Sequence, residues 1–303
     1  MIALDNGSLR RARRLRSVRQ AIDAYLASPD QGHISSICWQ ERKRLLEMFA
    51  AELGDLRLSH CRVGHLERWL AAHPCWSSDW TRMRVAHTIG RAFNYLAHLG
   101  EIRGNPFSGF HARQGPRGRP LERHEFQALL RCSDACFRRV LVFLRYTGAR
   151  PGELRGLEWS MLRPQRSCAV LSAHKTAHTR RDRAPRTLML HPIVVKLLIC
   201  IRRRQLPLTR WVFLNSKGRP WTRSALVLRM YRLRQRAGIA ADCKLYGNRH
   251  AFATNAALAG VDIATLATLL GHTTMEMAAY YVRLAGQDDH LQQALQKAVA
   301  AGS

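Results

Sequence analysis

Between residues 22 and 96 apolar side chains return every three or four positions in four separate runs: Ile22 with Leu26; Leu45, Met48, Phe49 and Leu53; Val63, Leu66, Trp69 and Leu70; Val85, Ile89, Phe93 and Leu96. A 3.6-residue period carries such positions onto one face, so this stretch predicts four amphipathic helices that bury their stripes against one another. The same spacing resumes around residues 126–130 and 137–146, and helices are also expected over 193–204 and 224–236. Residues 168–190 break the pattern. There CAVLSA and RTLML alternate as strands do, and the polar stretch HTRRDRAP between them predicts a β-hairpin. WVFLN, residues 211–215, reads as a further short strand. The expected fold is mainly α with a small β-hairpin or sheet in the second of two domains.

Gly104-Asn105-Pro106 stops the fourth helix, and HARQGPRGRP (111–120) combines Pro, Gly and charge as linkers do. The expected division is a basic, mobile arm over 1–19, a helical domain over 20–107, a linker over 108–120, a second domain over 121–285 and a tail helix over 286–303. With 303 residues, 47% of them hydrophobic, the chain can support two cores. The tail helix, with Leu291, Ala294, Leu295 and Ala298 on one face, can pack on its own domain or on a neighbouring subunit.

Net charge is +28, with 19 basic and 10 acidic residues before Pro120 and 30 and 11 from it onward. A positive excess in both halves suits a protein that closes around a polyanion, since each neutralised phosphate releases condensed counterions. Double-stranded DNA is the expected partner. Arg42, Lys43, Arg44, Arg82, Arg84 and Arg91 lie on the polar faces of the first domain. Such residues are ordinarily solvated surface; in this charge context phosphate contact is the better reading. The arginines of the arm either track a DNA backbone or act as a solubilising tail. No apolar run approaches the ~20 residues of a membrane span, and the Arg-rich start leads into no signal-peptide core, so a cytoplasmic protein is expected. Of the eight cysteines only Cys132 and Cys136 are close, and His174 and His178 have a zinc spacing that works on a helix rather than in a hairpin. No metal and no cofactor are expected.

Two stretches carry chemistry. In TGARPGELRGLEW (147–159) Gly148 breaks a helix and Pro151 opens the next, which holds Arg150 at the junction. Glu153 can pair with Arg150 or serve as ordinary first-turn charge. In residues 246–281 Arg249 begins an apolar-periodic segment with Phe252, Ala256 and Leu258 as its stripe; Gly260 ends it, and Asp262 caps a second helix carrying Ile263, Leu266 and Leu270. Gly271-His272 follows, and a tyrosine stands nine residues later, at Tyr281. Adjacent helical residues point about 100° apart, so Tyr280 and Tyr281 compete for one pocket-facing position. Spacing from His272 favours Tyr281.

These strings resemble the tyrosine recombinase (phage integrase) family, whose signatures are T-G-x-R-x-x-E-L, then H-x-x-R-H, L-G-H and a nucleophilic tyrosine. Arg150 with Glu153 and Leu154, Arg249 with His250, Leu270-Gly271-His272 and Tyr281 match in order. The resemblance spans about residues 20–285. It implies a catalytic lysine on the hairpin, at Lys175, and an N-terminal domain that binds the core of a recombination site. It also implies four subunits on paired sites, and an accessory DNA-bending protein is a further candidate partner. One position departs: Tyr246 stands where the family most often has a histidine that ligates phosphate and can accept a proton. A tyrosine hydroxyl keeps the ligand role but is a poor base at neutral pH. His250, next to Arg249 on a helix, is expected to face elsewhere in a supporting, structural role.

The residue types fit phosphodiester cleavage. Two guanidinium forks can stabilise charge on non-bridging oxygens, and a lysine, Lys175, can protonate the leaving 5′ oxygen. A tyrosine ester of phosphate conserves the energy of the broken bond, so breakage and rejoining need neither ATP nor metal. The expected function is site-specific DNA recombination or integration through a 3′-phosphotyrosine. The alternatives are relaxation of supercoils by a type IB topoisomerase and a DNA-binding protein in which Tyr246 has impaired catalysis.

Overall fold

Ser17 accepts a hydrogen bond from the Gln20 backbone and starts α1 (Val18–Leu26), whose Val18, Ala21, Ile22 and Tyr25 are buried. The structure, a computed structural model, describes residues 15–28, 35–111, 118–171, 185–205 and 209–284. The expected arm reached residue 19, but Val18 is already inside a core, so α1 begins within it. Residues 1–14 of that arm, and the tail helix over 286–303, lie outside the described residues.

The chain divides into two units, residues 1–116 and 117–303. In the first, α1 is followed by α2 (Ser36–Leu53), α3 (Val63–Ala71) and α4 (Asp79–His98), with Ser35 capping α2 and Ser78 capping α4. The caps satisfy N–H groups that a helix start leaves without intrahelical partners. Phe49 packs edge-on against Trp69 and Phe107, at 4.8 and 5.6 Å between ring centroids, and Phe93 meets Phe107 at 5.0 Å. The four predicted stripes thus share one core. Asn105 closes the unit: its side chain accepts from Phe107 N and donates to the Gly90 carbonyl and Asn94.

The second unit opens with α5 (Arg123–Cys132) and α6 (Ala135–Thr147), then α7 (Pro151–Arg155). Strands β1 (Leu162–Arg163), β2 (Cys168–Leu171) and β3 (Arg186–Met189) form an antiparallel sheet in that order. Cys168 pairs with Met189 and Leu171 with Arg186, so the expected hairpin is present. Its connecting residues, including His174, Lys175 and His178, lie outside the described residues. Helices α8 (Pro192–Arg204), α9 (Arg223–Ala237), α10 (Gly247–Leu258), α11 (Ile263–Leu270) and α12 (Glu276–Leu284) complete the unit.

Three expectations are corrected. WVFLN is not a strand: it makes only isolated bridges, Glu158 to Trp211 and Leu214 to Pro220, because the turn at Gly218 folds the chain back within five residues. Its Val212 and Phe213 are nonetheless core. The inward stripe of α10 is not built on Leu258, which is 57% exposed, but on the fully covered Ala253 and Ala257. Alanines let α6 and α12 approach α10 closely. The linker is shorter than expected, because Arg119 is held in the second unit by Glu125 and Asp242.

Candidate active site

Gly148 ends α6 in the left-handed conformation (φ 61°), where a side chain would be strained and would collide with the Phe252 ring. Two residues later Arg150 is the N-cap of α7, with Pro151 in the first turn. Its backbone N–H and its Nη1 both donate to Glu153, at 2.7 and 2.8 Å, so the carboxylate orients the guanidinium. Arg150 Nη2 donates to the Gly271 carbonyl at 3.1 Å.

Arg249, in the first turn of α10, is 1% exposed and ranks among the largest fully buried side chains. Its Nη1 donates to the Gly148 carbonyl at 2.8 Å and its Nη2 to the Leu270 carbonyl at 2.7 Å. Burial, then the Arg150 charge, pushes its pKa below the ordinary arginine value. A third arginine escaped the sequence reading. Arg186 on β3 is 2% exposed, reaches Glu153 with Nε at 3.4 Å and donates from Nη2 to the Leu269 carbonyl at 3.3 Å. A signal was available: the alternation that buries Leu188 also turns Arg186 inward. Three consecutive carbonyls at the end of α11 therefore each accept from a different arginine. A helix C-terminus carries unpaired carbonyls and partial negative charge, which favours cations there.

Gly271, left-handed at φ 63°, caps α11 and turns the chain so that the following residue, His272, is 9% exposed. Burial, followed by Arg249, Arg150 and Arg186, lowers the pKa of His272 to about 4, so its ring is neutral at pH 7. The His272 and Tyr281 rings stack with centroids 6.3 Å apart. Tyr281 on α12 is 5% exposed, and its hydroxyl lies 2.8 Å from His250 Nδ1. The expectation that His250 faces elsewhere is thus corrected. α12 packs on the face of α10 that His250 occupies and carries Tyr281 to it. Tyr246, at the N-cap of α10, is 39% exposed and meets the His250 ring edge-on at 5.0 Å. Tyr280 is half-buried beside Tyr281 at 5.4 Å.

Two site nitrogens, Arg249 Nε and His272 Nδ1, are buried without a hydrogen-bond partner among the described residues. Buried polar atoms ordinarily find partners, so unpaired ones in a cationic pocket are poised for an incoming acceptor. Of the predicted site residues, Arg150, Glu153, Arg249, His250, His272 and Tyr281 come together, and Tyr246 stands at the solvent edge.

In the first unit Arg42 donates to the Tyr25 hydroxyl at 2.7 Å, and Arg82 to the Trp76 carbonyl at 2.9 Å. Arg44 and Arg84 share Glu41, at 3.1 and 3.5 Å. Lys43 and Arg91 are exposed. No helix among the described residues is long and apolar enough to cross a membrane.

A mainly helical unit with a small antiparallel sheet, bringing three arginines, a histidine and a tyrosine to the end of one helix, defines a tyrosine-recombinase catalytic fold. Residues 120–288, more than half of the chain, match the phage integrase family, and the chain belongs to it. It is 23% identical over 269 residues to a tyrosine recombinase XerC of Oceanobacillus iheyensis, covering 83% of this chain and 86% of that one. The fold is similar to the Tn1549 transposon integrase in complex with circular intermediate DNA, with a TM-score of 0.73 at 18% identity, over 93% of this chain and 99% of that one. It is also similar to a lambda integrase dimer bound to a COC′ core site, with a TM-score of 0.70 at 15% identity, over 88% and 77% of the two chains.

Proposed function

We propose that this member of the phage integrase family is a site-specific DNA recombinase that cuts and rejoins DNA through a 3′-phosphotyrosine. The observation that carries the reading is the pocket itself: Arg249 Nε and His272 Nδ1, buried and unpaired, among three arginines and against the Tyr281 ring. A phosphodiester supplies the acceptor oxygens such a pocket lacks.

Arg150 and Arg249 hold the non-bridging oxygens, where negative charge concentrates during attack on phosphorus. Glu153 fixes Arg150 and, with Arg186, braces the end of α11. His272 ligates the phosphate, and the Tyr246 hydroxyl can donate to it from the solvent edge. Tyr281 attacks. A free phenol with pKa near 10 lacks roughly 4 kcal/mol toward phenolate at pH 7, a deficit the neighbouring arginines reduce. Lys175 protonates the departing 5′ oxygen. The positive charge is supplied by side chains, so the reading calls for no metal, cofactor or ATP.

Arg42, Lys43, Arg44, Arg82, Arg84 and Arg91 contact backbone phosphates of the core site, and Glu41 releases Arg44 and Arg84 as DNA arrives. The partners are double-stranded DNA and further copies of the chain, as a tetramer on paired sites, with an accessory DNA-bending protein where the target requires one. The protein acts in the cytoplasm, on the nucleoid. That assembly has a precedent in the lambda integrase tetramer bound to a Holliday junction.

The test is incubation of the protein and its Tyr281→Phe variant with nicked duplexes tiled across the DNA flanking its gene. A detergent-resistant adduct from wild type alone is expected. An adduct that persists in the variant transfers the nucleophile to Tyr280. Binding without any adduct supports the binding-only alternative, and relaxation of arbitrary supercoiled plasmid supports the topoisomerase.

A further inference from the structure

The family position for a histidine is filled by Tyr246, whose hydroxyl is a poor proton acceptor at neutral pH. One helical turn further along the same helix, on the same side, His250 sits with Nδ1 2.8 Å from the Tyr281 hydroxyl. We propose that His250 is the general base of this enzyme, taking the Tyr281 phenol proton on Nδ1 as the phosphotyrosine forms. The proposal rests on the recombinase reading above.

The step balances. The Tyr281 oxygen forms a bond to phosphorus, the bond from phosphorus to the 5′ oxygen breaks, the phenol proton moves to His250 Nδ1, and the leaving oxygen takes a proton from Lys175. On rejoining, the 5′ hydroxyl attacks phosphorus and gives its proton back to Lys175, and Tyr281 leaves and recovers its proton from His250. No oxidant, reductant or co-reactant is needed.

The surroundings suit the role. Arg249 beside His250, Tyr246 on the same helix and Tyr281 from α12 are the titratable or charged groups that face it among the described residues. From the segment before α5 it meets Gly118, where an added β-carbon would lie 3.3 Å from Nε2. Burial, then Arg249, lowers the His250 pKa, so the ring is neutral at pH 7. In the tautomer protonated on Nε2, Nδ1 accepts from the phenol, which is the geometry general-base catalysis requires. The other histidine ring that meets Tyr281, that of His272, is stacked face to face rather than aimed at the hydroxyl.

The experiment measures single-turnover adduct formation on nicked duplexes from the DNA flanking the gene, between pH 6 and 9. It compares wild type, His250→Ala, His250→Gln and the Tyr246→His/His250→Ala double variant, with DNA binding and urea unfolding checked for each. Wild type is expected to change little between pH 7 and 9. Both single variants are expected to be about 10²–10³-fold slower at pH 7, with a rate that rises about tenfold per pH unit as hydroxide replaces the lost base. Imidazole in the buffer, or a histidine at position 246, should restore much of the rate. Adduct formation at or above the wild-type rate in the single variants overturns the proposal, showing that the contact only parks the tyrosine. A slow rate with unchanged pH dependence and no rescue also overturns it, because His250 is then structural. If wild type forms no adduct on DNA it binds, the recombinase reading fails, and this assignment with it.

Discussion

The Arg186 guanidinium occupies the space that a β-carbon on Gly271 would need, well inside van der Waals contact. Gly271 also holds φ at 63°, which side chains other than glycine adopt at a cost of about 1–2 kcal/mol. Gly271→Ala is therefore expected to destabilise the second unit by roughly 2–4 kcal/mol in urea unfolding, strain and displacement together. Adduct formation should fall further, because the displaced Arg186 loosens Glu153 and with it Arg150. Full stability in the variant would show that Arg186 has room to move.

Arg249 bridges Gly148 and Leu270 with two parallel donors on a rigid fork. A lysine keeps the charge but offers a single point donor. Arg249→Lys leaves one buried carbonyl unmet, which costs about 1–3 kcal/mol. Adduct formation should drop at least ~10²-fold, while DNA retention in gel shifts changes little because net charge is conserved. Wild-type cleavage kinetics in this variant would remove Arg249 from the chemistry.

His272 links acid stability to the site. Its folded pKa of about 4 lies below the unfolded value of 6.5, so the unfolded chain binds more protons between those values. The linked stability is complete above about pH 6.5 and is lost as pH falls toward 4, by up to about 3 kcal/mol. Urea unfolding of wild type and His272→Gln at pH 7 and pH 4.5 checks this. The wild type should lose more stability on acidification than the variant, and equal losses would assign the acid sensitivity to other groups.

Arg119 holds the entry to the second unit by binding both oxygens of Glu125, at 2.6 and 2.8 Å, and Asp242 at 2.7 Å. Glu125 is 6% exposed, so Arg119→Ala strands a covered carboxylate. The expected loss is about 1–3 kcal/mol, read from chemical denaturation. Asp242 lies in solvent, and Asp242→Ala should cost clearly less. Equal losses would mean that burial of Glu125 does not matter to the bridge.

The repeating apolar positions of residues 22–96 correspond to α1 through α4, because a solvent-facing helix must alternate its faces with a 3.6-residue period and that period is written in the chain. The Gly148, Pro151 and Gly260 junctions were legible for a similar reason: backbone conformations that only particular residues favour announce themselves. Leu258 misled because an exposed leucine at a helix end has the same letter as a core leucine. WVFLN misled because burial and strand pairing share a composition.

By itself the sequence determined the helical class, the hairpin, the basic character and the order of the motif residues, since each depends on neighbours along the chain. Only the tertiary structure decided that Arg186, Arg249 and Arg150 share three consecutive carbonyls of α11, and that His250 meets Tyr281 rather than solvent. Those contacts join residues 21 to 121 positions apart. Which face of α10 is covered by α12 depends on how whole helices pack, a property that no local spacing encodes.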